Sequence, residues 1–531
     1  MCTNKHFDRI CVAVIVAALI LTILFMNGEA LGITKVIDED SENHENSQYF
    51  TSRDLDGNWD SSSATVITLD GSDGKISGNG AYMQDGNLVI VSAGDYSIEG
   101  TLTDGSIIID SEKNAKIGIL LHGISLSCSD DACIRVNQAD KVFLTLAEGT
   151  ENQLISGSTY SETALADKTD GVIFAHDDLT INGAGSLSIS GGISHGIAAN
   201  DNLLITGGSI QVTAPEDGLH ANDHLNICNA SITIDCQDDG IHADDSVYIE
   251  SGTIEITNSY EGIEAKTIEI AGGEIAITCT DDGINASDGS ETDNGFGFKN
   301  RKNGEDFSKG RPDRSFDSMA PPDMQDTNGA MTPPDMSEQT ENTETTGDSE
   351  TAPLVLITGG KITITNIQGN DADGIDSNGD IRINGGEVYI LLNGASGSNC
   401  ALDYGSETGG VCQINGGIVV AAGGSSMIEA IDSSSSQASM TVFTSETAAE
   451  HTLIQVTDGN GTVLLSREIP TSFTAVTISC PELKTGESYT VSIGEQTEII
   501  SLEQIAGFYG NRALENQVFD NHGFRESFNK I

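Results

Sequence analysis

Glycine recurs at a fixed spacing through the middle of this chain, and that spacing restricts its fold more than any other feature. Gly196, Gly218, Gly240 and Gly262 stand 22 residues apart, and Gly283 follows after 21. Their surroundings are variants of one motif, EDGLHA, DDGIHA, YEGIEA and DDGINA, with a further copy at DADGID. A period near 22, with room for two or three short strands per unit, predicts a solenoid. One such unit cannot bury its apolar face alone and must stack on the next.

The apolar positions keep the same phase. The residue after the glycine is Val172, Ile197, Leu219, Ile241, Ile263, Ile284 or Ile375, and two positions on stand Ala199, Ala221, Ala243, Ala265 and Ala286. Side chains alternate across a strand, so these positions share an inward face. The position between them, held by His220, His242, Glu264, Asn285 and Asp376, points outward. Further strand-turn-strand segments follow in each unit, as in LLITGGSIQVT, SVYIESGTIEIT and TIEIAGGEIAIT. Leucine-rich repeats share the period but need leucine and asparagine positions that are missing here. The expected fold is therefore all-β, a parallel β-helix with rungs of about 22 residues. A content of 60 glycines and only 5% aromatics suits short strands and tight turns.

Around this core the chain divides by composition. Residues 1–30, with Lys5 and Arg9 before an apolar run from Ile10 to Met26, read as a signal peptide or signal anchor. The rest is then secreted or on the outer cell surface, touching a membrane only through an uncleaved leader. Residues 31–61 read as a linker, 62–287 as β-helix, and 288–352 as a polar insertion expected to be disordered. The β-helix resumes over 353–439. A strand-rich cap without the period spans 440–505, and a polar tail spans 506–531. Eight cysteines after the leader are too few to staple a fold of this size. Cys128 with Cys133, and Cys400 with Cys412, remain open as local pairs. Cys236 and Cys279 fall in one column two rungs apart, roughly 10 Å and beyond disulfide reach, so buried thiols are expected. A monomer is expected.

The chain carries 81 acidic and 24 basic residues, a formal charge of −57. That field disfavours nucleic acid and anionic membranes as partners and favours cations. Much of it is solvated surface, but part is ordered. Asp217, Asp239, Glu261, Asp282 and Asp373 each precede the repeat glycine and form a column. Like charges stacked ~5 Å apart repel unless a cation lies between them. Calcium, which accepts six to eight oxygens in flexible geometry, is the expected ion. A second column follows five residues after the glycine at Asp201, Asp223 and Asp245. Glu264 from the outward row, and Asp371, Asp373 and Asp376 in NDADGIDSNGD, complete the candidate metal ligands. NDADGIDSNGD is no EF-hand, because Arg382 stands where a bidentate Glu is needed. The plain alternatives are Asp-Gly turns at solvated corners and, for His220 and His242, a stacked polar ladder instead of zinc ligands. Among the bases Lys168, Lys266, Lys361 and Arg382, only Lys266 lies near a carboxylate column. Its plain reading is a solvated lysine beside an acid. No nucleophile elbow or Ser-His-Asp arrangement is evident.

The repeated D-G-I/L-x-A motif, with ATVITLDG, DLTINGAGSLSIS and KVFLTLAEGTENQLISGSTY, resembles a family of secreted bacterial calcium-binding β-helix proteins. This is the carbohydrate-binding domain-containing family, itself similar in fold to the family 9 pectate lyases. The resemblance runs from Ser62 to Ile500, interrupted by the insertion. It implies a right-handed parallel β-helix, bound calcium and binding of a plant cell-wall polysaccharide such as polygalacturonate or cellulose. With one tryptophan, Trp59, and few other aromatics, an acidic polysaccharide held through calcium ranks above cellulose. Two other functions stay open: a pectate-lyase-like polysaccharide lyase with Lys266 as the weak candidate base, and a surface adhesin whose calcium is purely structural.

Overall fold

The structure is a computed structural model and describes residues 49–59, 62–288, 352–366, 372–394 and 400–510. The leader, most of the linker, the insertion, Asp371 and the end of the tail lie outside the described residues. The fold is all-β. A 34-stranded, mostly parallel sheet accompanies a four-stranded antiparallel one. Among the described residues helix is confined to short turns such as Ser52–Leu55 and Glu162–Ala166.

The sequence period is the register of the large sheet. Leu219–Ala221 pairs in parallel with Ile241–Ile249, which pairs with Ile263–Ile270, and then come Ile284–Ala286 and Ile375–Ser377. Leu219 thus faces Ile241, His220 faces His242 and Ala221 faces Ala243. A second row runs through Leu203–Ile205 and His224–Ile227 into the latter halves of Ile241–Ile249 and Ile263–Ile270. A third runs through Ser209–Thr213, Ser231–Asp235, Thr253–Asn258 and Glu274–Cys279. The shortening from 22 to 21 residues has a local cause. Between Ala243 and Ser246 the register slips, so that Asp244 and Asp245 together oppose Lys266 alone.

The inward aliphatic face is as expected, with Ile241, Ile263, Ile284 and Ile375 fully buried in one continuous core. One assignment is corrected. Ile173, not Val172, pairs with Ile197, and Gly171 faces His195. Two additional residues lengthen the unit between these strands, so the glycine ruler slips there.

Space explains the repeat glycine. A Cβ on Gly240 would come within 2.6 Å of both the Gly262 carbonyl oxygen and Ile256 Cδ1. Gly218, Gly262, Gly283 and Gly374 are crowded in the same way, each by an isoleucine of its own unit. The motif glycine therefore lets two faces of a unit approach each other.

Toward the C-terminus the sheet changes character. Ile418–Gly423 pairs antiparallel with Phe473–Ser479, which pairs antiparallel with Ser439–Ala448. Ala506–Gly510, beyond the expected edge of the cap, adds a parallel strand to Ser439–Ala448. The antiparallel sheet of Thr452–Thr457, Val463–Ile469, Ser488–Ile493 and Gln496–Ser501 covers a separate core around Phe473, Val476 and Tyr489.

Residues 49–59 lie across the outer face of the second row. Tyr49 stacks on Tyr248 at 3.7 Å between ring centroids. Asp54, held in a capping box with Thr51, is buried against Lys141 Nζ at 2.8 Å and the Thr180 hydroxyl at 2.7 Å. Burial would raise the Asp54 carboxyl, but these partners outweigh it and hold it below its ordinary range.

All eight described cysteines are buried free thiols, including both local pairs left open above. The register slips between Ile234 and Asp235, so that Asn258 faces Asp235 and not Cys236, whose amide donates to the Asn258 carbonyl; this moves Cys236 out of the column that the period alone would give it.

Candidate metal centre

Backbone hydrogen bonds stack the acids. The amide of each repeat glycine donates to the carbonyl of the next unit's acid: Gly218 to Asp239 at 2.9 Å, Gly240 to Glu261 at 3.0 Å and Gly262 to Asp282 at 2.9 Å. The same bond, from Gly283 to Asp373 at 3.0 Å, spans the insertion. The tight glycines Gly218, Gly240, Gly262 and Gly283 thus each fix a carboxylate-bearing residue of the next unit.

The side chains divide their oxygens. Asp217 Oδ1 accepts the Asp239 amide at 3.1 Å, while Oδ2 receives His220 Nδ1 at 2.8 Å. Further along, Asp282 Oδ1 accepts the Asp373 amide at 2.6 Å, and Asp373 Oδ1 accepts that of Cys400. In Asp217 one oxygen thus holds the stack and the other is directed to the row beside it.

That row contains the histidines, and their rings are layered. His195 lies 4.3 Å from His220, and His220 lies 4.9 Å from His242 with planes 5° apart. His242 Nδ1 sits 3.1 Å from Asp239 Oδ2 and 2.9 Å from Glu264 Oε2. Its Nε2 lies 3.4 Å from Asp244 Oδ1. His195 occupies the slot of the acids, directly before Gly196. Small Ala198, which faces His220 in the register, leaves room for its ring. His195 Nδ1 is 3.0 Å from Asp217 Oδ2, but the angle is not that of a hydrogen bond, so this buried nitrogen has no hydrogen-bond partner.

Three groups of donor atoms each fall within 4.8 Å of one another: His195, Asp217 and His220; Asp217, Asp239 and His242; and Asp239, Glu261 and Glu264. Shared Asp217 and Asp239 join them into one line. Its first end is mixed imidazole and carboxylate, and its last end is carboxylate alone. Hard oxygen donors at that end fit calcium, whereas nitrogen donors favour borderline metals.

The electrostatics differ along the line. Burial works to raise Asp217, but the imidazoles of His195 and His220 beside it prevail and hold it well below the usual carboxylate range. For Asp239, burial and the charges of Asp217 and Glu264 outweigh the His242 bond and push the carboxyl up. Burial, then Glu264 and Asp239, raises Glu261 as well. Asp282 is pushed up to about 8 by burial and Asp376, and Asp373 to about 9 by burial, Asp282 and Asp403. Stacked acids held this way favour a cation as their partner.

Of the residues expected from the sequence, Asp217, Asp239, Glu261 and Glu264 come together in these groups. Asp282 and Asp373 continue the column, and Asp376 the row beside it, as a second acidic stretch. Asp223 and Asp245 stack by backbone only, Asp245 N to Asp223 O at 3.2 Å, and join none of the three groups. Lys266 is half-buried at the register slip, two residues beyond Glu264. His195 escaped the sequence reading, although its place before Gly196 was the available signal. Asp403, which adds charge beside Asp373, and Glu429, beside Asp403, follow the loss of the period and had no such signal.

An all-β chain that lines up carboxylates and imidazoles along a mostly parallel sheet is a repeat protein with a built polar ridge. Residues 84–397 match the profile of the carbohydrate-binding domain-containing protein family, and the chain belongs to that family. A carbohydrate-binding domain-containing protein of Acetivibrio thermocellus is 32% identical over 137 residues, 26% of this chain and 48% of the relative. The chain therefore spans about half the length of that relative. A polysaccharide lyase-like protein from C. thermocellum, solved as a gadolinium derivative, aligns at 22% identity with a TM-score of 0.36, covering 66% of this chain and 96% of the other.

Proposed function

We propose that this chain is a secreted, calcium-dependent binder of acidic plant cell-wall polysaccharide, wound as a parallel β-helix. Strands that pair in parallel with the strand one period later, in three rows, support the winding. The leader's apolar run supports secretion.

The observation that carries the binding function is the group of Asp239, Glu261 and Glu264, whose oxygens lie within 4.8 Å of one another. When bound there, calcium would supply a positive centre able to bridge protein carboxylate to uronate carboxylate. Asp239 and Glu261 would hold the ion from adjacent units. Glu264, tied to His242 at 2.9 Å, would be oriented toward it by that bond. Family membership supports carbohydrate as the partner class.

Retention on insoluble polygalacturonate, with calcium and with a chelator, tests this reading. Retention only with calcium, weakened by Asp239→Asn, is the expected result. Equal retention in chelator removes the calcium dependence, and none in either condition removes the acidic glycan.

A further inference from the structure

A recess of about 340 Å³ lies away from the acidic column, where residues 53–59 cross the sheet. Trp59, Arg53, Asp56, Asp95, Phe143 and Asn182 are among its walls. It sits at the small end of ligand-sized cavities, which span about 300–1,000 Å³.

The indole of Trp59 is brought over the sheet by an absent side chain. A Cβ on Gly118 would stand 3.4 Å from Trp59 Cζ3 and 2.5 Å from Asp95 Oδ1. Gly118 therefore lets ring and carboxylate meet above one strand. The ring is not anchored by its polar atom, since Trp59 Nε1 is buried without a hydrogen-bond partner. Such an orphaned donor is destabilising, and it directs attention to what the rest of the half-buried ring offers, an apolar surface in a polar recess.

The other walls are prebuilt. Asn182 Nδ2 donates to the carbonyls of Asp54 and Asp56, and its Oδ1 accepts from Thr145. Arg53 stacks over Phe143 at 4.2 Å and reaches Asp95 Oδ1 at 3.9 Å. An aromatic surface beside carboxylate acceptors matches a pyranose, which presents C–H groups on one face and hydroxyl donors at its edge. A uronate would instead set its charge against Asp56 and Asp95 in a chain of charge −57.

We infer that this recess binds a neutral mono- or disaccharide unit, with Trp59 as platform and Asp95 and Asp56 as hydroxyl acceptors, without calcium. The inference rests on the carbohydrate-binding reading but not on the metal centre.

Trp59 is the sole tryptophan, so its fluorescence in the full chain reports the recess directly. In chelator, the full chain is titrated with cellobiose, xylobiose, mannobiose and galactobiose, with digalacturonate as the charged comparison. The expected result is a saturable change with at least one neutral disaccharide and none with digalacturonate. Gly118→Ala and Asp95→Asn should each weaken that response at least tenfold while calcium-dependent retention on polygalacturonate stays unchanged. No saturable response to any neutral disaccharide overturns the inference, as does full calorimetric binding of that sugar by Trp59→Phe and Asp95→Asn. Loss of polygalacturonate retention alone sinks the calcium reading and leaves this one standing.

Discussion

Asp239 stands directly above Asp217, its amide donating to Asp217 Oδ1 at 3.1 Å, so two acids one period apart are stacked by a bond between them. Their side chains nevertheless differ. Asp217 is pinned between two imidazoles, while Asp239 is raised by burial and by its acidic neighbours. Asp239→Asn and Asp282→Asn should each weaken calcium affinity at least tenfold, about 1.4 kcal/mol, and lower the melting midpoint in calcium. Calorimetric titration and thermal melts that leave both quantities unchanged for both variants would remove the column as a metal site.

The raised acids set a pH dependence. Asp282 at about 8 and Asp373 at about 9 lie above their ordinary 3.8. A carboxyl raised on folding contributes fully below its unfolded pKa and loses that contribution as pH climbs to the folded value. Chelated protein should therefore lose thermal stability from about pH 4 to about pH 9, and calcium should flatten the fall. Asp217 acts with the opposite sign, its contribution present above 3.8 and lost only on acidification below that. Melts in chelator that are level or rising across this window would contradict the assignment.

Gly240→Ala places a methyl within 2.6 Å of Ile256 Cδ1 and the Gly262 carbonyl. Overpacking of this kind costs about 1–3 kcal/mol. A lowered melting midpoint is expected, while Gly459→Ala, whose Cβ meets nothing nearer than 4.0 Å, should be nearly silent. Equal midpoints for the two variants would show that the repeat glycine is not a spacing device.

The thiols offer a check on the core. Burial raises Cys133, Cys228, Cys236 and Cys279 to about 12, so neither access nor ionisation favours reaction. Labelling with a thiol-disulfide reagent should be slow in the native protein and fast in urea. Rapid native labelling of these four, located by peptide mapping, would mean that the sheet opens there.

Lys266 opposes Asp244 and Asp245 at the register slip and belongs to none of the three donor groups. Incubation with polygalacturonate and calcium should therefore produce no rise in unsaturated-product absorbance. A rise abolished by Lys266→Ala would establish a lyase.

The core was legible because its signals are local and periodic. Ile241 and Ala243 alternate on one strand, Gly240 repeats every 22 residues, and each unit repeats the same constraint. Asp239 and its column follow from the same ruler, since residues fixed beside a repeated glycine must stack. Where the ruler slips, sequence reasoning slips with it: Val172 was placed a residue out of register, and His195 was passed over although it fills an acid's slot. Asp403 was hidden because no period reaches it.

Sequence by itself determined the strands, their inward face and the order of the acids, because alternation and period are properties of a single chain segment. Only the tertiary structure decided which columns touch. Glu264 meets His242 across units, and Trp59 lies over Gly118 from a segment some sixty residues away, because such contacts depend on how rows curve and where an absent side chain leaves space.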